Sequence, residues 1–373
     1  MRNPSAFTNL TGIELPFVGA PMAGTSTPQL AAAVSNAGGL GSLGLAGKSV
    51  DQVREAVREL KTLTTRPFNL NFFCHAEPHR DPAVESAWID YLTPLFDSLD
   101  TQPPAELSPS YDSFLGDTAM LQLLLDEKPA VVSFHFGVPD AATINALHDA
   151  GILLMASATN LEEARVIEEA GLDAVIAQGI EAGGHRGIFD ENGSDEQTPT
   201  TALVEQIVST TQLPVVAAGG IMTREHAEHM FSLGAAAVQV GTALITSPES
   251  MAKDSYRDAL VQAAQTAQRA GSGAETQLTR VFSGRPARGL STAFMEFAQA
   301  PDAPTPPVFP VAYSANKALS AAAAKSGTPG MAPHWAGANV HLIQPRPAAE
   351  VTRAIGQEPL FQGYPRGSQP NPA

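Results

Sequence analysis

The 373-residue chain is predicted to be an α/β protein, a (β/α)8 barrel with a smaller, mostly helical lid domain. Three observations predict this fold. Short apolar runs alternate with amphipathic segments, which is typical of a parallel sheet covered by helices on both faces. Eight such runs begin near residues 17, 40, 68, 131, 152, 174, 215 and 237. Eight strand–helix units within about 230 residues fit the size of one closed barrel.

Composition limits the classes of function. Hydrophobic residues make up 43% of the chain and charged residues 16%, as in a globular protein with a substantial core. The formal net charge is −16, and Lys and Arg do not cluster, so we expect no nucleic-acid partner. The single cysteine, Cys74, excludes an intramolecular disulfide and a cysteine metal cluster, which fits a reducing compartment.

The chain shows no apolar run long enough to span a bilayer and no basic leader followed by an apolar stretch. We therefore expect a cytoplasmic protein with no membrane partner. Its acidity favours solubility over binding to a polyanion. We expect a monomer or a homodimer that acts on a small molecule.

The first three units are clear in the sequence. An apolar strand over residues 17–20 is followed by Thr27 and Pro28, which suit the N-cap and first turn of a helix that Gly38 ends. A strand over 40–45 and a helix over 50–63 come next, and then a strand over 68–73. The proline-rich section 77–128 predicts one or two helices over the barrel rim.

The later units follow the same pattern. Strands are predicted over residues 131–136 and 152–157, with a helix over 141–150 between them. Thr159 and Glu162 have the spacing of a capping box, and Gly171 ends the helix that they begin. The remaining strands start at 174, 215 and 237.

The densest group of reactive residues follows the sixth strand. Within residues 178–187 the chain carries Gln178, Glu181, His185, Arg186 and four glycines. Glycine allows close backbone approach to a ligand, and His185 is a natural proton acceptor. The Gln178 amide can fix a planar heterocycle. The alternative is a glycine-rich surface turn with a solvated imidazole, but barrels build their active sites from loops after the strands.

Two further residue pairs that contain glycine follow the seventh and eighth strands. They are Gly219-Gly220 and Gly241-Thr242. Barrels often hold a phosphate between these two loops on backbone N–H groups. The pairs predict a phosphorylated cofactor or substrate, and the alternative is two tight strand–helix turns.

Five segments together resemble the nitronate monooxygenase family, formerly called 2-nitropropane dioxygenase, in its bacterial class I form. The resemblance extends from about residue 10 to residue 345. Its most specific part is the Gln-Gly-x-Glu-Ala-Gly-Gly-His run, whereas the glycine pairs alone are not specific. The segments are Ala20-Pro21-Met22-Ala23-Gly24, Asn71-Phe72-Phe73-Cys74-His75, the run 178–187, Ala218-Gly219-Gly220-Ile221 and Gln239-Val240-Gly241-Thr242.

The resemblance implies a non-covalently bound FMN and His185 as the catalytic base. The family oxidises alkyl nitronates, in this subgroup propionate 3-nitronate, by one-electron transfer to the flavin, which then reduces O2; this implies a detoxifying role. The protein positions the reactants while the cofactor carries the redox chemistry. By the same resemblance, the phosphate is held by Gly220, Gln239, Val240, Gly241 and Thr242, and the flavin ring is lined by Met22, Asn71, Gln178 and Gly183.

After the barrel, a helix is predicted over residues 250–270, a basic loop over 279–290 and a proline-rich stretch over 300–310. Tyr313 and Lys317 then share a helix face. The resemblance places them on the substrate side of the flavin, and the alternative is a surface pair. We expect residues 1–250 to form the FMN-binding barrel, 251–345 a lid that excludes water, and 346–373 a tail, poorly ordered from 357 on.

A nitronate is an anion, so nearby cationic or proton-donating groups matter more than the distant acidic surface. The candidates are His135, His185, Arg186 and Lys317. His135 has the alternative of a buried rim residue, and Arg186 that of pairing with Glu181 or another acid. His226 and His229 lie three residues apart on a helix, but a metal site would need more ligands, so we expect none.

Two other functions remain open at this point. One is an FMN- and NAD(P)H-dependent enoyl-thioester reductase, which resembles this chain in the Glu-Ala-Gly-Gly-His run and the barrel. The segment 71–75 and the Tyr313 and Lys317 pair favour nitronate oxidation over it. The other is a barrel that only binds a phosphorylated ligand, which would turn over no nitronate.

Overall fold

Eleven β-strands lie within residues 5–357, the part of the chain that the computed structural model describes. Eight of them run parallel in one sheet, in the order β1-β9-β8-β6-β5-β4-β3-β2. A parallel bridge between Val18 and Leu40 joins the two edges of this sheet and closes the ring. The strands, numbered along the chain, are Phe17–Gly19 (β1), Gly41–Gly44 (β2), Phe68–Phe73 (β3), Val131–His135 (β4), Leu153–Ala158 (β5), Ala174–Gln178 (β6), Gly184–His185 (β7), Val215–Ala218 (β8), Ala237–Val240 (β9), Thr276–Thr279 (β10) and Ala287–Leu290 (β11).

Helices connect successive barrel strands, so the predicted (β/α)8 barrel is confirmed. The two helices predicted over the proline-rich section are α4 and α5. The helices are Ser5–Thr11 (α1), Pro28–Asn36 (α2), Val50–Leu63 (α3), Pro82–Asp97 (α4), Thr118–Glu127 (α5), Ala141–Asp149 (α6), Leu161–Glu169 (α7), Thr200–Thr210 (α8), Arg224–Ser232 (α9), Thr242–Ile245 (α10), Asp254–Ala270 (α11), Ala293–Ala298 (α12), Ala312–Ser326 (α13) and Ala348–Gly356 (α14), with a 3-10 turn at Val340–Leu342.

Helix α2 begins where the sequence predicts. The Thr27 hydroxyl accepts a hydrogen bond from the backbone N–H of Leu30 at 2.9 Å, and Pro28 is the first helical residue. The threonine thereby satisfies one of the N–H groups that a helix start leaves unpaired.

The capping box predicted at Thr159 and Glu162 is wrong. Asn160 is the N-cap of α7, and its side chain accepts from the N–H of Glu163 at 2.9 Å. The N–H and hydroxyl of Thr159 instead donate to the buried carboxylate of Glu163, at 2.6 and 2.8 Å. Asparagine is as good a cap as threonine, and the buried carboxylate needs the donors that Thr159 supplies.

The barrel strands are apolar throughout because both of their faces are covered. A small cluster that includes Val18, Met155, Ile176 and Val216 forms one part of the core. A larger cluster packs the strands against the surrounding helices. Continuous burial of this kind explains why the strands are apolar runs without alternation.

A smaller sheet and a third apolar cluster lie outside the barrel strands. Strands β10 and β11 form an antiparallel hairpin, and β11 also pairs with β7. The predicted basic loop over 279–290 is therefore partly wrong, since β11 covers residues 287–290. The third cluster joins α4 to α12 and α13 through Trp88, Phe282, Phe294 and Leu319.

The chain returns to the barrel at its carboxyl-terminal part, where α14 packs on α2, α9 and β1. Residues 358–373, which include most of the segment predicted to be poorly ordered, lie outside the described residues. The division into barrel, lid and tail stays a prediction. Within residues 5–357 no helix is both long enough and apolar enough to cross a membrane.

Candidate active site

A cavity opens where the carboxyl ends of the barrel strands meet. Most of the residues predicted to form the site line it, so the structure brings them together from loops far apart in the chain. Those that line it are Met22, Asn71, His135, Gln178, Gly183, His185, Gly220, Gln239, Gly241, Thr242 and Tyr313. Two predicted residues do not. Val240 is buried in the core behind the wall, and Lys317 lies outside the lining.

Arg186 anchors the glycine-rich segment after β6 from the inside. Its side chain is fully buried and makes two hydrogen bonds, of 2.9 and 3.0 Å, with the carboxylate of Asp195. It also donates to the backbone oxygens of Gln178 and Gly179. The alternative of an internal ion pair is therefore correct for Arg186, with Asp195 as the acid instead of Glu181.

The amide of Gln178 also holds this segment. Its nitrogen donates to the backbone oxygen of His185 at 2.9 Å, and its oxygen accepts from the N–H of Gly187 at 2.8 Å. These bonds fix the turn that carries His185. One N–H of the Gln178 amide remains for a ligand.

His185 lies among aromatic rings. Ring centroids of Trp335, Phe309 and Tyr313 are 5.4, 5.6 and 6.0 Å from that of His185. Its Nε2 lies 2.9 Å from the hydroxyl of Ser283. Desolvation lowers the pKa of His185 to about 3, with smaller contributions from His135 and the Arg285 cation. The imidazole is therefore neutral at ordinary pH and carries one unprotonated ring nitrogen.

His135 uses both ring nitrogens within the protein. Nδ1 lies 3.0 Å from the Ser157 hydroxyl, and Nε2 lies 3.2 Å from the backbone oxygen of His185. Burial lowers the pKa of His135 to about 4. Although His135 lines the cavity, its nitrogens are committed to protein partners, as in the alternative of a buried rim residue.

Asn71 is oriented by the neighbouring strand. Its amide nitrogen donates to the hydroxyl and to the backbone oxygen of Ser133, at 2.9 and 3.1 Å. The Ser133 hydroxyl also accepts from the buried Asn69 at 2.9 Å. Because both N–H groups of Asn71 are used, its side-chain oxygen is the group left for a ligand.

Backbone with few side chains forms the part of the cavity near β8 and β9. Gly220 has φ +69°, which favours glycine, and its oxygen accepts from the Asn339 amide at 2.7 Å. A Cβ on Gly241 would meet Ala20 at 3.3 Å. The side-chain oxygen of Gln239 is buried with no partner among the described residues, so it remains available to a donor on a ligand.

Tyrosines separate Lys317 from the cavity. The ammonium of Lys317 lies 4.3 Å from the ring centroid of Tyr111 and 5.3 Å from that of Tyr313, and both rings line the cavity. Burial lowers the pKa of Lys317. Lys317 nevertheless remains exposed, whereas Tyr313 is buried and is the member of the pair that reaches the cavity.

Several residues at the site escaped the sequence analysis. Tyr111 and Trp335 line the cavity, and Ser283 contacts His185. Each lies in a segment without regular periodicity, so neither spacing nor strand ends marked them. Within residues 5–357 no group of three or more His, Cys, Asp or Glu residues is arranged to hold a metal ion. The absence of a metal site at His226 and His229 stays a prediction.

Comparison with known proteins gives consistent matches. The sequence profile of the nitronate monooxygenase family matches residues 4–358. The nitronate monooxygenase of Paraburkholderia phytofirmans is 47% identical over 353 residues, which cover 95% of this chain and 94% of that protein. The nitronate monooxygenase of Pseudomonas aeruginosa is also 47% identical, over 94% of this chain and 98% of that protein.

A solved structure agrees with the sequence matches. The nitroalkane oxidase from Streptomyces ansochromogenes superposes with a TM-score of 0.83 at 37% identity. The superposition covers 94% of this chain and 96% of that one. Both barrel and additional elements are therefore shared over nearly the full length of each chain.

Proposed function

The chain belongs to the nitronate monooxygenase family, and from that premise we propose that it is an FMN-dependent enzyme that oxidises alkyl nitronates, propionate 3-nitronate among them, with O2. When bound, FMN supplies one-electron oxidation of the nitronate and the reduction of O2. The observation that carries the proposal is that His185 and both predicted phosphate loops line one cavity.

The residues present fit this cofactor. The side-chain oxygen of Gln239 has no partner among the described residues and can only accept a hydrogen bond, so it suits a hydroxyl of the ribityl chain. We propose that the phosphate is held by the backbone N–H groups of Gly220, Gln239, Val240 and Gly241 and by the hydroxyl of Thr242. Met22, Asn71, Gln178 and Gly183 would line the flavin ring, where the free oxygen of Asn71 and the spare N–H of Gln178 suit its polar edge.

His185 is proposed to take the proton when the substrate is a neutral nitroalkane. The hydroxyl of Ser283 lies 3.2 Å from the backbone oxygen of Arg285, to which it can donate. In that arrangement it accepts from Nε2–H of His185, and Nδ1 is left unprotonated. A preformed nitronate has already lost the proton, so its oxidation does not need this base.

The aromatic residues around His185 would exclude water and shape the substrate side. The ring of Tyr313 forms part of this wall, and its hydroxyl accepts a hydrogen bond from the indole N–H of Trp335 at 3.3 Å. We propose that His135 and Tyr313 contact the substrate directly, and that Lys317 contributes its charge through the faces of the two tyrosines.

Oxygen uptake tests the proposal. The protein loaded with FMN should be yellow and should consume O2 when propionate 3-nitronate is added without a nicotinamide. Absence of uptake with any nitronate would contradict the proposal. Rapid bleaching of the flavin by NADH under anaerobic conditions would instead support the enoyl-thioester reductase.

A further inference from the structure

Arg285 is a buried cation to which the proposed function assigns no role. It lies in the connection between β10 and β11, and only 2% of the residue is exposed. Its Nη1 donates to the backbone oxygen of Ile188 at 2.6 Å. Its Nε lies 3.5 Å from the carboxylate of Glu191 but has no hydrogen-bond partner among the described residues. Burying a guanidinium whose Nε–H has no hydrogen-bond partner is unfavourable, so its presence calls for a reason.

One layer of aromatic rings separates this guanidinium from His185. Its central carbon lies 4.4 Å from the ring centroid of Phe136 and 5.5 Å from that of Phe309. The same two rings lie 6.0 and 5.6 Å from the imidazole of His185. The positive charge therefore faces the wall of the cavity across apolar groups that screen it poorly.

The charges around the cavity are unbalanced. The nearby Arg186 donates two hydrogen bonds to Asp195, whereas the Nε of Arg285 lies 3.5 Å from the Glu191 carboxylate and makes no hydrogen bond among the described residues. No Asp or Glu lines the cavity within the described part of the chain. After burial, the Arg285 cation contributes to lowering the pKa of both His135 and His185, so its field reaches the site.

We propose that Arg285 is an electrostatic positioning residue, whose charge acts across Phe136 and Phe309 to draw a small anion into the cavity beside His185. This inference rests on the proposed function, because a nitronate is such an anion. It adds a basis for selectivity, since a neutral nitroalkane gains little from the charge. Because distant surface charges are screened by salt, a cation this close to the cavity outweighs the acidic surface of the molecule.

Binding of sodium nitrite, a small planar anion, tests the role of Arg285. The FMN-loaded protein is titrated with nitrite, and the change in flavin absorbance gives the dissociation constant. Arg285→Gln keeps a donor for Ile188 but removes the charge, so we expect about tenfold weaker binding. Arg285→Lys should retain most of the affinity. Arg269→Gln is the control, since Arg269 is exposed near the end of α11 and contacts neither Arg285 nor Glu191, and it should bind nitrite as the native protein does.

Removing the counterion should have the opposite effect. Glu191→Gln leaves Arg285 in place but takes away the nearest negative charge. We expect nitrite to bind about threefold more tightly to this variant. Tighter nitrite binding cannot come from a general loosening of the hairpin. If Arg285→Gln does not fold, Glu191→Gln still tests the role of the Arg285 charge.

Kinetics give a second measure. In Arg285→Gln, KM for a preformed nitronate should rise about tenfold, while KM for the corresponding neutral nitroalkane should change less than twofold. Equal nitrite affinity in the native protein, Arg285→Gln and Glu191→Gln would overturn the inference, as would a native protein that binds no nitrite. If the native protein binds nitrite but consumes no O2 with nitronates, the proposed function fails while the role of Arg285 is still tested.

Discussion

The two histidines of the cavity differ in what their ring nitrogens contact. Both nitrogens of His135 are bonded to protein groups, while His185 is bonded only through Nε2 to Ser283 among the described residues. A base must present a free nitrogen to the substrate. Of the two, His185 therefore has the arrangement of a base, whereas His135 could contact a substrate only through its ring carbons.

His185→Asn should separate the two kinds of substrate. Loss of the base should slow oxidation of a neutral nitroalkane about 100-fold or more, because both ring nitrogens of His135, the other histidine of the cavity, are already bonded to protein groups. Oxidation of the preformed nitronate should fall less than tenfold. Steady-state O2 uptake with both substrates checks this, and equal losses would contradict the assignment of His185 as base.

The pH dependence of stability follows from the same buried imidazoles. Burial lowers the pKa of His75 and of His135 to about 4 and that of His185 to about 3, against about 6.5 in an unfolded chain. Between these values only the unfolded chain binds the protons. These histidines therefore leave the free energy of unfolding unchanged above about pH 6.5. They lower it as pH falls from there through their folded pKa values of about 4 and 3.

His75→Gln should flatten this dependence. His75 is buried, and its Nδ1 has no partner among the described residues. Between pH 7.5 and 5 the native protein should lose about 1 to 2 kcal/mol more unfolding free energy than this variant. Urea unfolding at the two pH values measures the difference. The exposed His229→Gln should behave like the native protein, and the same slope in all three proteins would show that His75 does not contribute.

At the level of elements, the segment after β6 depends on internal polar contacts. Its four glycines leave it few apolar side chains to pack, so Arg186 and Gln178 hold it through backbone oxygens and N–H groups. Asp195 closes the arrangement by pairing with Arg186. The position of His185 is therefore set by a buried ion pair, which the proposed chemistry does not otherwise use.

Asp195→Asn should destabilise the protein strongly because it leaves the buried Arg186 without its counter-charge. We expect a loss of about 3 kcal/mol in unfolding free energy, together with weaker FMN binding. The matched control is Glu228→Gln, which removes a surface pair with Arg224 on α9 and should cost about 0.5 kcal/mol or less. Denaturant melts of both variants give the values. Similar small losses would mean that the buried pair does not hold the segment.

The barrel elements could be predicted from sequence because each depends on local patterns. Apolar runs, caps such as Thr27 and end glycines such as Gly38 are properties of a few neighbouring residues. Strand β11 was not predicted because Arg285 and Arg288 make this stretch look like a solvated basic loop. Their burial comes from tertiary contacts, with Ile188 and Ile180 respectively, which no local pattern reveals.

The residues of the candidate site could likewise be predicted only where a local pattern marks them. Residues that follow barrel strands, such as Asn71 and His185, could be placed because the fold brings strand ends together. Tyr111, Ser283 and Trp335 come from segments outside the barrel units. Their approach to His185 depends on how those segments fold back over the rim, which the spacing of residues does not encode.

For the molecule as a whole, three parts of the chain meet over one end of the barrel. The section around Tyr111, the helix that begins at Ala312 and the segment around Trp335 all contribute to the cavity wall. Asn339 ties the last of these to the predicted phosphate loop at Gly220. An acidic molecule thus encloses a cavity whose lining, within residues 5–357, carries no carboxylate.

The central claim is that this cavity binds FMN with its ring beside His185, and a crystal structure of the FMN complex tests it most directly. We predict the phosphate at the backbone of Gly220 and Gly241 and the flavin ring next to His185 and Asn71. Density for FMN elsewhere on the protein, or a cavity that remains free of flavin at saturating FMN, would contradict it.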